Sequence, residues 1–472
     1  MKKHLYMNGQ WVEGATYSAL TSPYSKATIA EIAQASKEQV NEAIAMAEQA
    51  FGEMKALSAY ERSIILEQLV ELLTQNREKA AEIIALEAAK PLKFALSEVD
   101  RTIETYQFAA EEAKRIYGEV LPINAAKNGA NKIGFTIHEP IGVIAAITPF
   151  NFPMNLVAHK IGPAIASGNT IVLKPASQTP LSAIFLAELL DQTNLPKGAF
   201  NLVTGSGKVV GDALVESDKV KMITFTGSPG VGTAIKSKAG LKRVSLELGS
   251  NAGLIIDKDV DLADIVEKAT VGAFSNQGQV CISLQRIYVQ ETMAEAFLEK
   301  FKKRTEQLIL GDPLDSTTDI SALISEGDVT RALDWIAEAI DDGAELVTGG
   351  KVIDHVLQPT ILKNVKKDAK ICVQEAFAPV VMVNTITDFE EGIHAINDST
   401  FGLQAGIFTN NLKHATSAIK NLEVGGVIVN DVPTFRVDHM PYGGVKESGN
   451  CREGIKYAIE EMTELKLVVW HQ

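Results

Sequence analysis

At 472 residues the chain is too long for one hydrophobic core, and its 46% apolar content is enough to fill two or three domains. A formal net charge of −14 excludes partners read through phosphates in bulk, because nucleic-acid binding needs a basic face that releases counterions. Three cysteines, Cys281, Cys372 and Cys451, and eight scattered histidines give neither a disulfide framework nor metal-ligand spacing, so a reducing compartment and no metal are expected. The opening MKKHLYMNGQWVEGA carries two lysines but no apolar run of signal-peptide length, and no other run reaches a membrane span. A cytoplasmic location without a membrane partner follows as an expectation.

From about Ser36 to Ile116 apolar residues recur at three- and four-residue steps, as in NEAIAMAEQAFGEM and ERSIILEQLVELLTQNREKAAEIIALEAA, which predicts an all-helical opening. Short β-branched runs follow: IGVIAAITP, NTIVLKPA, AFNLVTG, KMITFTG and VSLELG, with helical stretches such as PLSAIFLAELLDQT between them. Alternation of this kind builds a doubly wound parallel sheet, whose ligands bind at the carboxyl ends of its strands. A second series starts after Gly249 with NAGLIIDKD, RIYVQET, PTILKNV, PVVMVNTIT, LQAGIFTN and GGVIVND. Gly118 to His138 and the tail TELKLVVWHQ read as lone strands outside both series, and an exposed strand needs a partner edge, most simply another subunit.

Taken one at a time, the polar motifs are ambiguous. Asn151, in TPFNFPMNLVAHK, could donate to a developing oxyanion or merely satisfy its own turn. Lys174 ends a predicted strand, where it could meet a ribose or simply cap a surface. FTGSPGVG, Phe225 to Gly232, opens a helix that could receive a pyrophosphate, although it departs from the usual G-x-G-x-x-G pattern. Glu247 lies inside an apolar strand, either paired structurally or raised in pKa for general-base work. Cys281, in SNQGQVCISLQR, is a small hydrophobe or a nucleophile.

Taken in order, Asn151, Lys174, the turn at Gly227, Glu247 in LELG, Cys281 in GQVC, Glu375 in QEAFAPV and MPYGGVKESG near Gly444 resemble the aldehyde dehydrogenase superfamily nearly end to end. The resemblance implies an α/β fold of two doubly wound parallel-sheet domains plus a small oligomerisation strand extension. A Rossmann-like cofactor domain would span 1–118 and 139–248, a catalytic domain 249–457, and oligomerisation strands 119–138 and 458–472. Homodimers, or homotetramers built from them, are the family's usual assembly.

It also implies roles. Cys281 would add to the aldehyde carbon, with Asn151 and the Cys281 backbone N–H holding the oxyanion; oxidation would leave a thioester, and Glu247 would activate water to hydrolyse it. NAD or NADP would lie along Thr148, Pro149 and Phe150, with Lys174 and Glu375 on ribose hydroxyls and Ser228 on the pyrophosphate. Ser177, Gly207, Phe225, Thr226, Gly227, Gly232 and Leu248 would complete that site, and Phe377 would pack at the nicotinamide end. Ser177 stands where many NAD-preferring members carry a glutamate, so NADP should be tolerated. Cys451 replaces a common glycine and reads as tolerated packing.

The stretches FRVDHMPYGGVKESG and LSEVDRTIE look like the subgroup of lactaldehyde, non-phosphorylating glyceraldehyde-3-phosphate, and phosphono- or sulfo-aldehyde dehydrogenases. There, arginine or other basic residues at Arg101, His159 and Arg436 would bind an anionic substrate. Arg101 could equally pair on a helix surface with Asp100 or Glu104, and His159 could be a satisfied core histidine. Anion-binding members often carry arginine just before the cysteine, where this chain has Val280, so a neutral lactaldehyde-like substrate stays open. A coenzyme A-acylating enzyme, or a non-catalytic member of the fold, are the alternatives; intact Cys281, Glu247 and Asn151 disfavour both.

Overall fold

The computed structural model describes residues 1–258 and 260–471. One seven-stranded sheet is ordered Arg243–Glu247, Val220–Thr226, Val143–Ile147, Thr170–Lys174, Phe200–Leu202, Leu5–Met7 and Gln10–Val12. Its first five strands are parallel, and Val143–Ile147 and Thr170–Lys174 are buried throughout, which is why VIAAI is unbroken apolar and TIVLK carries three apolar residues in succession. The chain runs from Val143–Ile147 outward to Phe200–Leu202, then returns to add Val220–Thr226 on the other side. The strand order therefore reverses beside Val143–Ile147, and a crevice opens at the carboxyl ends there.

The second seven-stranded sheet is ordered Glu345–Thr348, Thr360–Lys363, Val380–Ile386, Arg286–Gln290, Gly253–Ile256, Gln404–Phe408 and Gly426–Val429. Only Glu345–Thr348 runs antiparallel to its neighbour. Both sheets are covered by helices, as the alternating pattern implies. The helical stretch is also found, as Lys37–Ala56, Ala59–Gln75, Arg77–Ala88 and Leu92–Glu112. Ser36 with Gln39, and Ser58 with Glu61, close capping boxes at the starts of the first two.

Two features depart from expectation. The chain opens with five strands before its first helix, including a hairpin in which Met7 pairs with Gln10 across Asn8 and Gly9. Both turn residues have positive φ, 49° and 73°, the conformation of a type I′ turn. Further, Lys132–Pro140 does not await another subunit as its simplest partner. It pairs along its length with Thr463–His471 of the same chain, and Val120–Leu121 adds a third strand on its other side. Thr463–His471 keeps one free edge and exposes Leu465, Leu467, Val469 and Trp470.

Candidate active site

The turn that carries Cys281 is held in an uncommon backbone shape. After the helix Leu262–Phe274, Asn276, Gln277 and Gly278 all adopt positive φ, of 50°, 57° and 68°. For non-glycine residues this costs on the order of 1 kcal/mol each, so it persists only where neighbours enforce it. They do: Asn276 donates to the carbonyls of Asn151 and Gln279, and Gln277 to those of Ala89 and Ala322. A Cβ on Gly278 would lie 2.2 Å from the Ala378 carbonyl oxygen. Cys281 emerges half-buried, its Sγ 2.9 Å from the Tyr442 hydroxyl. Burial pushes the thiol up to about 11, an effect the Tyr442 contact partly offsets.

Asn151 follows the strand Val143–Ile147 and is tied to the same turn. Its side-chain N–H₂ donates to the Gln279 carbonyl at 3.0 Å, while its side-chain oxygen is buried without a partner. Its main-chain carbonyl accepts from Lys90 at 2.7 Å. Lys90 is buried against Glu98, which accepts from the N–H groups of Met154 and Asn155 where the helix Asn155–Ser167 begins. The amide and the thiol are thus fixed to one framework.

Glu247 ends its strand in a tight slot behind these groups. One carboxyl oxygen accepts from the Cys451 thiol at 3.2 Å, and the other is buried without a partner. A Cβ on Gly443 would meet the carboxyl at 2.8 Å, so glycine makes the slot possible. Burial, and next the negative charge of Glu453, raise Glu247 well above the ordinary carboxyl range. Glu453 stays low, at about 2: Lys160, His159 and Arg436 outweigh its own burial. Cys451 therefore does more than fill space, since it touches the expected base.

A cavity of about 890 Å³ opens at the carboxyl ends of the first sheet and reaches Cys281. It gathers Thr148, Pro149, Phe150, Asn151, Lys174 and Ser177 from one side, and Gly207, Phe225, Thr226, Gly227, Ser228 and Leu248 from the other. Glu375 and Phe377 close it from the second sheet. Gly232 is not among these residues: it lies in the helix Pro229–Lys238, where a Cβ would meet Leu248 at 2.6 Å.

The walls suit a dinucleotide. The hydroxyls of Thr148 and Thr226 are buried without partners, and Lys174, pushed down to about 8 by burial, meets only the Pro175 carbonyl. Glu375 is pushed up to about 7 by burial and accepts from the Ser250 N–H. Phe150 and Phe377 meet edge to face, with ring centroids 5.7 Å apart. Arg331 and Trp335, on the helix Glu326–Asp341, also line the cleft and lie in none of the motifs above.

Cys281 also borders a second chamber of about 270 Å³, with Arg101, Arg436, Phe152 and Tyr442 in its wall. Arg101 does not pair with Asp100 or Glu104. Its guanidinium forms a two-pronged contact with buried Asp438, at 2.7 and 3.0 Å, while Asp100 goes to Arg77. His159 is not in the wall: it is buried behind it, with Nε2 2.8 Å from Asp438 and 3.1 Å from Arg436. Burial, and then the charge of Arg436, lower its pKa. Arg436 also bonds Glu453 at 2.9 Å, and its Nε, 3.9 Å from Asp438, is buried without a hydrogen bond among the described residues. Tyr442 and Asp438 lie in the motif FRVDHMPYGG, but only the packed chain shows what they touch.

Two chambers meeting at one cysteine, the larger shaped for a dinucleotide, agree with the comparisons to known proteins. The profile described as aldehyde dehydrogenase family matches residues 11–468. The chain belongs to the aldehyde dehydrogenase family. It is 48% identical over 465 residues to a 3-sulfolactaldehyde dehydrogenase of Priestia aryabhattai, covering 98% of this chain and 97% of that protein. A lactaldehyde dehydrogenase of Methanocaldococcus jannaschii is 42% identical over 469 residues, covering 98% and 99%. Among solved structures, a glyceraldehyde-3-phosphate dehydrogenase from the same organism, complexed with NADP, superposes at a TM-score of 0.93. It is 42% identical, covering 97% of this chain and 100% of that one. An aldehyde dehydrogenase of Physcomitrella patens in complex with succinate gives 0.97 at 40% identity, covering 100% and 98%. As a family member the chain is an NAD(P)-dependent oxidoreductase of aldehydes. Among the described residues no helix is long and apolar enough to cross a membrane.

Proposed function

We propose that this aldehyde dehydrogenase oxidises a short aldehyde bearing an anionic group, of the sulfolactaldehyde kind, to its carboxylate. The observation that carries this is the pair of guanidinium groups in the smaller chamber. Arg436 Nε makes no hydrogen bond among the described residues, although Asp438 lies 3.9 Å away, and the contacts of Arg101 with Asp438 use only Nε and one terminal nitrogen. Donors of this planar, permanently charged kind suit sulfonate or phosphate oxygens. The relative named for 3-sulfolactaldehyde supports the same class. A neutral hydroxyaldehyde is the second reading, favoured by Asp438, which already compensates Arg101, and by the lactaldehyde-named relatives.

In the proposed chemistry Cys281 sulfur bonds to the aldehyde carbon, and the carbonyl electron pair moves to oxygen. Asn151 Nδ2 and the Cys281 N–H would hold that oxyanion. NAD or NADP, when bound, supplies the two-electron acceptor. Residues 1–118 and 139–248 would hold it, Lys174 and Glu375 binding its hydroxyls, while 249–457 carry the nucleophile. Glu247 would leave its slot, take a proton from water and direct it at the thioester, so that the carbon–sulfur bond breaks and the acid departs. The exposed apolar strand Thr463–His471 supports a homodimer or homotetramer, and the cytoplasm is the proposed location.

Turnover of anionic and neutral short aldehydes, with products identified by mass, tests this. Free acid in the absence of coenzyme A, no turnover by Cys281→Ser, and undiminished cofactor binding are expected. Turnover by Cys281→Ser, or a product that requires coenzyme A, would overturn it.

A further inference from the structure

We propose that Tyr442 is a catalytic residue whose hydroxyl donates a hydrogen bond to the Cys281 thiolate, stabilising sulfur as it prepares to attack and again as it leaves. This rests on Cys281 being the nucleophile. A half-buried thiol in so dry a setting resists ionisation, and a thiol attacks carbonyl carbon only as thiolate. Some group near the sulfur must therefore favour the anion.

Tyr442 is the polar group that touches it. Its oxygen lies 2.9 Å from Sγ, and Tyr442 is only 2% exposed, so solvent does not compete for the phenol. While sulfur carries its proton either partner can donate; once it is a thiolate, only the phenol has a proton to give. Burial raises Tyr442 well above the usual phenol range, which favours the hydroxyl keeping its proton near neutral pH.

The ring is also held and polarised. Tyr442 N–H donates to the Glu453 carbonyl, and the Glu453 N–H returns a bond to Tyr442. The Arg436 guanidinium stands 3.7 Å from the ring centroid, itself anchored by Glu453. A cation over the ring draws charge from it and makes the O–H a better donor, and it favours the nearby thiolate directly. Asn151, whose amide donates to the Gln279 carbonyl here, would serve the oxyanion, so the two donors would serve different atoms.

The proton balance is simple. The thiol proton leaves to solvent water through the open cleft, with Tyr442 retaining its own. As the carbon–sulfur bond forms, charge moves from sulfur to the substrate oxygen, and the hydrogen bond to sulfur weakens. When water displaces the acyl group, the bond electrons return to sulfur and the hydroxyl meets the thiolate again.

Tyr442→Phe removes one oxygen and keeps the ring. The test is the pH dependence of Cys281 alkylation by iodoacetamide, a neutral probe that reports thiolate without turnover, with the modified peptide mapped to separate Cys281 from buried Cys372 and Cys451. The apparent pKa should rise by about one unit in the variant, as loss of a charge-assisted hydrogen bond implies. kcat/KM near pH 7 should fall about tenfold, with cofactor affinity and thermal midpoint unchanged. An unmoved alkylation profile with Cys281 still required for turnover overturns the role of Tyr442 alone. Turnover by Cys281→Ser overturns the nucleophile assignment instead, so the two failures are distinguishable.

Discussion

Replacing Ser177 with glutamate should turn the enzyme against NADP. Ser177 is exposed at the mouth of the larger cavity, and its one recorded contact is a 3.2 Å hydrogen bond to the Gly205 carbonyl, so Ser177→Glu disturbs no core. Nearby Lys174 is buried and has no carboxylate partner. Were a ribose 2′-phosphate to bind beside Ser177, a new carboxylate at a separation of about 5 Å and an effective dielectric of about 20 would be repelled by about 3 kcal/mol per pair of charges. Solvent at the open mouth screens this to about 2 kcal/mol, or about 30-fold in kcat/KM for NADP. NAD, which lacks the phosphate, should stay within about threefold. The assay is kcat/KM for each cofactor at saturating aldehyde and fixed salt. Equal loss with both cofactors, or no loss with NADP, would refute the placement of the adenosine ribose beside Ser177.

Glu247→Gln should let the acyl-enzyme form but not hydrolyse, so rapid mixing should show about one equivalent of reduced cofactor per site followed by slow turnover. On the proposed mechanism, hydrolysis needs ionised Glu247, whose pKa is raised by burial and by Glu453. The acid limb of kcat should therefore lie above the ordinary carboxylate range and vanish in the variant; a limb kept unchanged would exonerate Glu247. The same raised pKa makes Glu247 favour folding below its unfolded value and lose that contribution as pH climbs through the folded one. Glu247→Gln should thus gain stability relative to wild type on the alkaline side, read as thermal midpoint against pH. Gly278→Ala places a methyl 2.2 Å from the Ala378 carbonyl oxygen at a φ of +68°. A lower thermal midpoint and a loss of about 100-fold in kcat/KM should follow from a displaced thiol; wild-type activity would show that the turn does not position it.

Much of the fold is legible in the sequence because both faces of its central strands are buried. Val143–Ile147 appears as an unbroken apolar run and Thr170–Lys174 as a run with an apolar centre, and their carboxyl ends point to the cleft. The first three strands escape because they are only two or three residues long, although Asn8-Gly9 between LYM and QWV is the signal of a hairpin. The pairing of Thr463–His471 with Lys132–Pro140 joins segments separated by most of the chain, and composition shows only that each is a strand.

The site divides in the same way. Residue types that chemistry demands, Cys281, Asn151 and Glu247, stand out by motif. Residues that act by contact do not. His159 reads as basic but packs behind Asp438, and Gly232 reads as a phosphate turn but faces Leu248. The contact of Cys451 with Glu247 and that of Tyr442 with Cys281 cross about two hundred and about one hundred and sixty positions, distances no local pattern spans.

The central claim, that the smaller chamber brings an anionic aldehyde to Cys281, is tested most directly by one paired measurement. It is kcat/KM for a short anionic aldehyde and its neutral counterpart, in wild type and in Arg101→Lys, which keeps the charge but loses the fork. The anionic substrate should lead by about tenfold or more in wild type, and the lead should shrink about tenfold in the variant with the neutral rate nearly unchanged. Equal rate constants for the two substrates in wild type, with Arg101→Lys silent, would contradict the account.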